Sequence, residues 1–192
     1  MHAKQFVIII GLCAFVIAFA LGSIVTLTTG IPLAGGLLNG ILVAMVLTIG
    51  MLASPFRWSG TLMWIVFSIP AIPTTTLGPP GLYKIVIAIV AGLIWDVCYQ
   101  FIFSRKKRIG LYIGAIAGGI AITLLMILIL RLIASGIGEA LSFSEDVNTS
   151  LQSLKDYFWY LLPINFIVTA IGVRLGEFMY YARLKSVLKI YE

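Results

Sequence analysis

The chain has 192 residues, of which 61% are apolar and only 10% are charged, and its mean hydropathy is +1.11. A typical soluble domain is about 45–50% apolar and about 25% charged. Thirteen basic and seven acidic side chains cannot cover a water-soluble particle of this size. The composition therefore excludes a soluble domain, a disordered chain and a secreted disulfide scaffold, and it predicts a polytopic membrane protein.

Apolar segments long enough to cross a bilayer occur six times along the chain. A spanning helix needs about 20 mostly apolar residues, and continuous apolarity favours helices over a transmembrane barrel. We therefore predict an all-α integral membrane protein with a single six-helix transmembrane domain over residues 1–192. A long segment, residues 135–156, is expected to separate the fifth and sixth helices. The predicted spans are 5–27, 33–53, 59–77, 82–103, 109–134 and 157–182.

The distribution of basic residues predicts the orientation of these spans. Nine of the basic side chains, including the run 105–108, fall on one side of the predicted bundle, whereas Lys84, Lys155 and Arg131 fall on the other. Surplus lysine and arginine mark cytoplasmic loops. We therefore expect a multi-pass protein of the cell membrane with both termini in the cytoplasm. The same positions favour contact with anionic lipid headgroups over contact with nucleic acid.

The opposite, outer half is where a pocket is expected. Pro70 and Pro73 should bend or unwind the last turns of the third span, and non-helical backbone at membrane depth requires surrounding protein or a wet cavity. The long outer segment carries apolar residues at helical spacing from Phe143 to Phe158. Two interpretations remain open for it: a helix lying in the headgroup layer and a lid over a pocket mouth.

The chemistry of an enzyme is not visible in the sequence. His2 is the only histidine, and the nucleophile, zinc and nucleotide-loop motifs are missing. We therefore predict no catalytic residues, no metal site and no cofactor. Within the spans, Arg174 and Glu177 share a helix face, and with Asp96 they are predicted to form an intramembrane ion pair between the fourth and sixth spans. The alternative is an element for ion coupling or for a partner subunit.

Small residues at spacing four mark a close-packing face on the first span. Ala14, Ala18 and Gly22 form this face, and Gly114 and Gly118 form a similar one on the fifth span. Such faces let helix backbones approach closely. They indicate either packing within the bundle or docking of another membrane subunit.

These features together resemble the substrate-binding S component of energy-coupling factor (ECF) transporters. The resemblance rests on the chain length, the six spans, the pair Ala14-x-x-x-Ala18 and the runs 30–40, 77–84 and 91–96. It implies a subunit that captures a vitamin or related micronutrient in an outward-facing pocket. It also implies that Ala14 and Ala18 dock on a transmembrane coupling subunit, which works with two cytoplasmic ATPases.

The predicted solute-binding residues are polar or aromatic side chains expected in the outer half. Lys84 and Arg131 would favour an anionic solute, although each is also placed to reach lipid headgroups. The alternative function is a structural or regulatory membrane subunit of a larger complex, with no ligand of its own. The candidates for the outer pocket are Asn39, Thr75, Tyr83, Lys84, Arg131, Tyr157, Trp159, Tyr160 and Asn165.

Overall fold

The structure, a computed structural model, describes residues 3–29, 32–74, 80–136 and 144–185. These residues are almost entirely helical, and no strand occurs among them. Two of the helices continue as π-helical segments, Val97–Ile102 after the fourth helix and Tyr180–Leu184 after the sixth. The α-helices are α1 (Ala3–Thr29), α2 (Pro32–Ala53), α3 (Ser59–Ala71), α4 (Tyr83–Asp96), α5 (Lys107–Gly136) and α6 (Ser144–Met179).

Four helical segments are long and apolar enough to cross a membrane, judged within the described residues. They come from α1, from α4 with its π-helical extension, from α5, and from α6 with its extension. Two shorter apolar segments belong to α2 and α3. The all-helical membrane class is therefore supported, with four candidate spans. These are Lys4–Val25, Tyr83–Ile102, Lys107–Ile129 and Leu162–Leu184, and the shorter segments are Leu37–Ala53 and Ser59–Ala71.

Helix α3 is shorter than the span 59–77 predicted from the sequence. It ends at Ala71, because Pro73 has no backbone N–H to continue the helix. Its 13 residues extend only about 20 Å, against about 30 Å for the hydrocarbon core of a bilayer. Both ends of α3 therefore need polar partners from the protein itself.

Helix α6 is longer than the predicted span 157–182. It begins at Ser144 and runs for 36 residues without interruption in its backbone, through Pro163. Residues 144–156 are therefore continuous with α6, and the candidate span within this helix is Leu162–Leu184. The reason is that the stripe from Phe143 to Phe158 has the same helical period as the apolar segment after it, and no glycine or proline separates the two.

The helices form a ring in the order α1, α2, α6, α5, α4, α3, and α2 also contacts α3. Neighbours in sequence run antiparallel; for example, Ala71 lies beside Lys84 and Gly60 beside Asp96 at opposite ends of the α3–α4 pair. All odd-numbered helices consequently begin at the same end of the bundle. We call this the basic end, because the run 105–108 follows α4 there.

Large side chains fill the core inside the ring, and small residues allow neighbouring helices to pack closely around it. Trp95 is almost fully buried, and its Nε1–H donates a hydrogen bond to the carbonyl oxygen of Leu111 at 3.0 Å. A Cβ atom added at Gly92 would lie 2.5 Å from the Cα atom of Thr61. The backbones of α3 and α4 are thus in direct contact, which only a glycine at position 92 permits.

Candidate functional site

Asp96, at the end of α4, stabilises the beginning of α3. Its Oδ1 accepts a hydrogen bond from the backbone N–H of Gly60 at 2.9 Å, and its Oδ2 accepts two from Thr61, from the backbone N–H and from Oγ1, both at 2.7 Å. The first N–H groups of a helix have no partner within the helix, and a carboxylate there is favoured by the helix dipole. Asp96, which is fully buried, is therefore a helix cap supplied by a neighbouring helix.

Lys84, at the beginning of α4, stabilises the opposite end of α3. Its Nζ donates a hydrogen bond to the carbonyl oxygen of Ala71 at 2.9 Å and another to the carbonyl oxygen of Thr74. The side chain is fully buried. A cation is favoured at a helix C-terminus, and the carbonyl groups left open there need donors. Lys84 supplies these donors where Pro73 prevents the helix from continuing.

The two charges together form a clamp that matches the length of α3. Asp96 and Lys84 are twelve positions apart on α4, which is about 18 Å and close to the length of α3 itself. Opposite charges of α4 thus lie at the two ends of the α3 dipole. A helix too short to reach both membrane surfaces has its ends satisfied in this way inside the protein, as a low-dielectric environment demands.

The long helices extend beyond the tip of the α3–α4 pair, at the end opposite the basic end. Phe15 of α1 lies beside Phe67 of α3, with ring centroids 5.8 Å apart. Because α1 and α3 run parallel, Ala71 is level with Phe19. Helix α1 then continues for ten residues to Thr29, which is about 15 Å.

Helix α5 extends in the same direction by a similar length. A Cβ atom at Gly118 would lie 3.2 Å from the carbonyl oxygen of Ala91, so the antiparallel α4 places Lys84 level with Leu125. Helix α5 continues from there to Gly136, about 16 Å farther. We call the region bounded by these extensions, above Ala71 and Lys84, the upper recess. Residues 75–79, between α3 and α4, lie outside the described residues.

Several predicted solute-binding residues are instead engaged with other parts of the fold. Lys84 is buried, and its ammonium group donates to the carbonyl oxygens of Ala71 and Thr74 at the end of α3. Asn39 packs so closely on Gly22 that a Cβ atom there would lie 2.1 Å from its Oδ1. Asn165 donates a hydrogen bond from Nδ2 to Oγ1 of Thr123 at 2.8 Å. These residues join helices to each other, which sequence position alone does not distinguish from lining a pocket.

The other predicted residues that the structure describes lie toward the same end of the bundle as the upper recess. Arg131 of α5 is exposed, and Trp159 and Tyr160 of α6 are 78% and 68% exposed. Tyr83 is half-buried at the beginning of α4. Thr75 lies outside the described residues, as does the side chain of Tyr157, whose backbone belongs to α6.

The small-residue face of α1 is covered by the bundle itself. Ala14 and Ala18 are fully buried, and Gly22 lies against Asn39 of α2. Of the two interpretations of Ala14, Ala18 and Gly22, these contacts favour packing within the bundle. The glycines of α5 behave in the same way, since Gly114 and Gly118 pack on α4.

The predicted intramembrane ion pair is present in part and has a different partner. Arg174 contacts Glu177 at 3.1 Å, but the second cation on this carboxylate is Arg108, whose Nε lies 2.7 Å from Oε1. Asp96 does not join them, because the beginning of α3 occupies both of its oxygens. In the sequence, Arg108 is one member of the basic run 105–108. Its position in the first turn of α5, facing α6, is the one signal that could have predicted its ion pair with Glu177.

Comparison of the chain with known protein families, with curated proteins and with solved structures gave no match.

Proposed function

We propose that this chain is the substrate-capture subunit of an ECF-type uptake transporter for a vitamin or related small solute. The observation that carries the proposal is the upper recess: α1 and α5 extend about 15 Å beyond the level of Ala71 and Lys84, where only residues 72–74 and 80–82 of the α3–α4 connection are described. Solute sites in membrane transporters commonly lie where a helix is interrupted within the membrane. The early end of α3 at Ala71 provides such an interruption.

The proposed orientation places the upper recess outside the cell and the basic end, with both termini, in the cytoplasm. The distribution of basic residues supports this orientation, because the described part of the recess end carries the exposed Arg131 and the buried Lys84, whereas more basic residues lie at the basic end. Lysine and arginine accumulate in cytoplasmic loops. The described basic side chains on or next to the basic end are Lys4, Arg57, Arg105, Lys106, Lys107, Arg108, Arg174, Arg183 and Lys185.

Within this proposal, the predicted residues contribute in different ways. Lys84 supports the floor of the recess by holding the end of α3, whereas Arg131, Trp159 and Tyr160 are exposed side chains toward the same end of the bundle. A transmembrane coupling subunit, acting with cytoplasmic ATPases, would contact a helix face that is exposed in the bundle, because Ala14 and Ala18 are covered. No step of this function requires catalysis by the chain itself.

Native mass spectrometry of the protein, extracted in mild detergent from cells that produce it, tests the proposal. We expect a small organic molecule bound at one per chain. Arg131→Gln and Trp159→Ala should lower the bound fraction, because they remove a cation and an aromatic ring proposed to contact the solute at this end of the bundle. The matched changes Arg57→Gln and Trp58→Ala, which alter exposed residues at the basic end, should leave it unchanged. Equal loss in both pairs would contradict a site in the recess.

A second candidate function is a structural or regulatory subunit without a ligand of its own. The observation that favours it is that Lys84, Ala14 and Ala18 are all used for packing within the bundle. This function predicts that the extracted protein carries no small molecule and co-purifies with one fixed membrane partner. The same mass spectra therefore separate the two functions.

A further inference from the structure

A buried carboxylate at the basic end holds two exposed guanidinium groups from different helices. Glu177 of α6 is 7% exposed. Its Oε1 contacts Nε of Arg108 at 2.7 Å, and its Oε2 contacts Nη1 of Arg174 at 3.1 Å. The hydroxyl of Tyr112 donates to Oε2 at 3.1 Å. The side chains of the two arginines are 64% and 62% exposed, so the carboxylate lies beneath them and fixes their position.

The cluster of Arg108, Arg174 and Glu177 has unused N–H donors and positive charge with which it could bind a second anion. A guanidinium group carries five N–H donors, and the ion pairs with Glu177 use Nε of Arg108 and one terminal nitrogen of Arg174. Two arginines and one glutamate leave a net charge of about +1 at the surface. Arginine in a fixed orientation is well suited to phosphate, because its planar donors match two phosphate oxygens.

An apolar groove begins at the same place. Arg108 and Tyr112 line an open groove of about 330 Å³, which Ile109 and Ile113 complete. Arg108 lies in the first turn of α5, at the basic end, and Ile113 lies farther along the candidate span Lys107–Ile129. The groove therefore has a cationic mouth at the edge of the span and an apolar floor toward its interior, which is the polarity of a membrane lipid.

The surroundings of the groove are typical of a membrane surface with anionic headgroups. Near it, Lys107 lies over the ring of Tyr99 and Lys185 over the ring of Tyr181, at 5.8 and 5.3 Å from the ring centroids. Tyrosine is enriched at membrane interfaces, and clustered basic residues attract anionic lipids. A soluble anion would gain nothing from the apolar floor.

We propose that this groove binds an anionic phospholipid, with its phosphate on Arg108 and Arg174 and the beginning of an acyl chain along Ile109 and Ile113. Glu177 is a positioning residue, because it orients the guanidinium groups without requiring contact with the lipid. Tyr112 lines the groove and also donates a hydrogen bond to Glu177. This proposal is independent of solute capture, since the upper recess lies at the other end of the bundle.

Native mass spectrometry with defined lipids tests the proposal. Phosphatidylglycerol is titrated into the detergent-solubilised, delipidated protein, with phosphatidylcholine as the neutral comparison. We expect one tightly retained phosphatidylglycerol. Arg108→Gln should weaken it about fivefold, as is typical for one basic residue at an anionic surface. Arg105→Gln makes the same charge change three residues away and should have little effect. Equal losses in the two variants, or equal retention of the two lipids, would overturn the proposal.

Two further measurements separate a lipid from a free phosphate. Ile113→Ser should weaken phosphatidylglycerol binding if an acyl chain occupies the floor. Glycerol 3-phosphate, which offers a phosphate without chains, should not displace the bound lipid. Displacement by glycerol 3-phosphate together with an unaffected Ile113→Ser variant would assign the site to soluble phosphate and overturn the lipid.

The conservative variants keep the test valid if Arg108→Gln folds poorly. Arg108→Lys keeps the charge but loses the planar donors, and Tyr112→Phe removes only the hydroxyl that donates to Glu177. Both should bind phosphatidylglycerol more weakly than the unchanged protein, with an unchanged melting temperature. Full binding by both variants would show that orientation of the guanidinium groups does not matter, and would overturn the proposed site.

Discussion

The ionisable residues of the α3–α4 pair and of the α5–α6 pair differ in their burial and in their bonding partners. In the first pair, Asp96 and Lys84 are fully buried and bind backbone groups of α3. In the second pair, Glu177 binds two arginines whose side chains are mostly exposed. The difference follows from helix length, because α3 ends within the protein and needs caps, whereas α5 and α6 are long enough to carry their charges to a surface.

The largest effect that this comparison predicts is that of Asp96→Ala. The change removes three hydrogen bonds to a charged acceptor and leaves the N–H groups of Gly60 and Thr61 buried without it. We expect the free energy of unfolding in mixed micelles to fall by about 3 kcal/mol. A loss no larger than that of Glu177→Gln would contradict the distinction between the two pairs.

Lys84→Met should have the next largest effect. Methionine keeps the aliphatic length of the side chain but removes the charged donor to the carbonyl groups of Ala71 and Thr74. The carbonyl oxygen of Ala71 keeps two donors from Thr74, the backbone N–H and Oγ1. We expect a loss of about 2 kcal/mol in the same unfolding measurement. Arg131→Met, at an exposed position, is the control and should change stability little. If Lys84→Met removed solute binding at full stability, Lys84 would be a ligand residue and its role as a cap would be contradicted.

Gly92→Ala tests whether close contact of α3 and α4 is required. The new Cβ atom would meet the Cα atom of Thr61 at 2.5 Å, so the backbones must separate. Overpacking costs about 1–3 kcal/mol, and the better helix propensity of alanine offsets about 1 kcal/mol of it. Gly119→Ala, in α5, meets only Oγ1 of Thr169 at 3.3 Å and should be neutral or stabilising. Equal melting temperatures for the two variants would exclude this contact.

Glu177→Gln should have a smaller effect on stability, because its partners are exposed and such ion pairs contribute little. We expect a loss of about 1 kcal/mol or less in the unfolding measurement. The variant also frees Arg108 and Arg174, so phosphatidylglycerol binding should weaken although the net charge has become more positive. Stronger binding would indicate attraction by charge alone.

Asn165→Leu should have the smallest effect. It removes one hydrogen bond between α6 and α5, from Nδ2 of Asn165 to Oγ1 of Thr123, and side-chain hydrogen bonds between membrane helices average about 0.6 kcal/mol. Unfolding in mixed micelles measures this change. If solute binding were lost while stability stayed the same, Asn165 would belong to a pocket, as the sequence had suggested.

The sequence by itself indicated the membrane class, the helical secondary structure and a disturbance near the end of the third span, because each depends on local composition or on the two prolines. The end of α3 at Ala71 came from the structure. It also predicted that Arg174 and Glu177 would pair, since residues three apart share a helix face. Only the tertiary structure decided the partners of Asp96 and Lys84, the covering of Ala14 and Ala18, and the joining of Arg108 to Glu177. These depend on which helices become neighbours in the ring, and helix order is not encoded in the spacing of residues along any one helix.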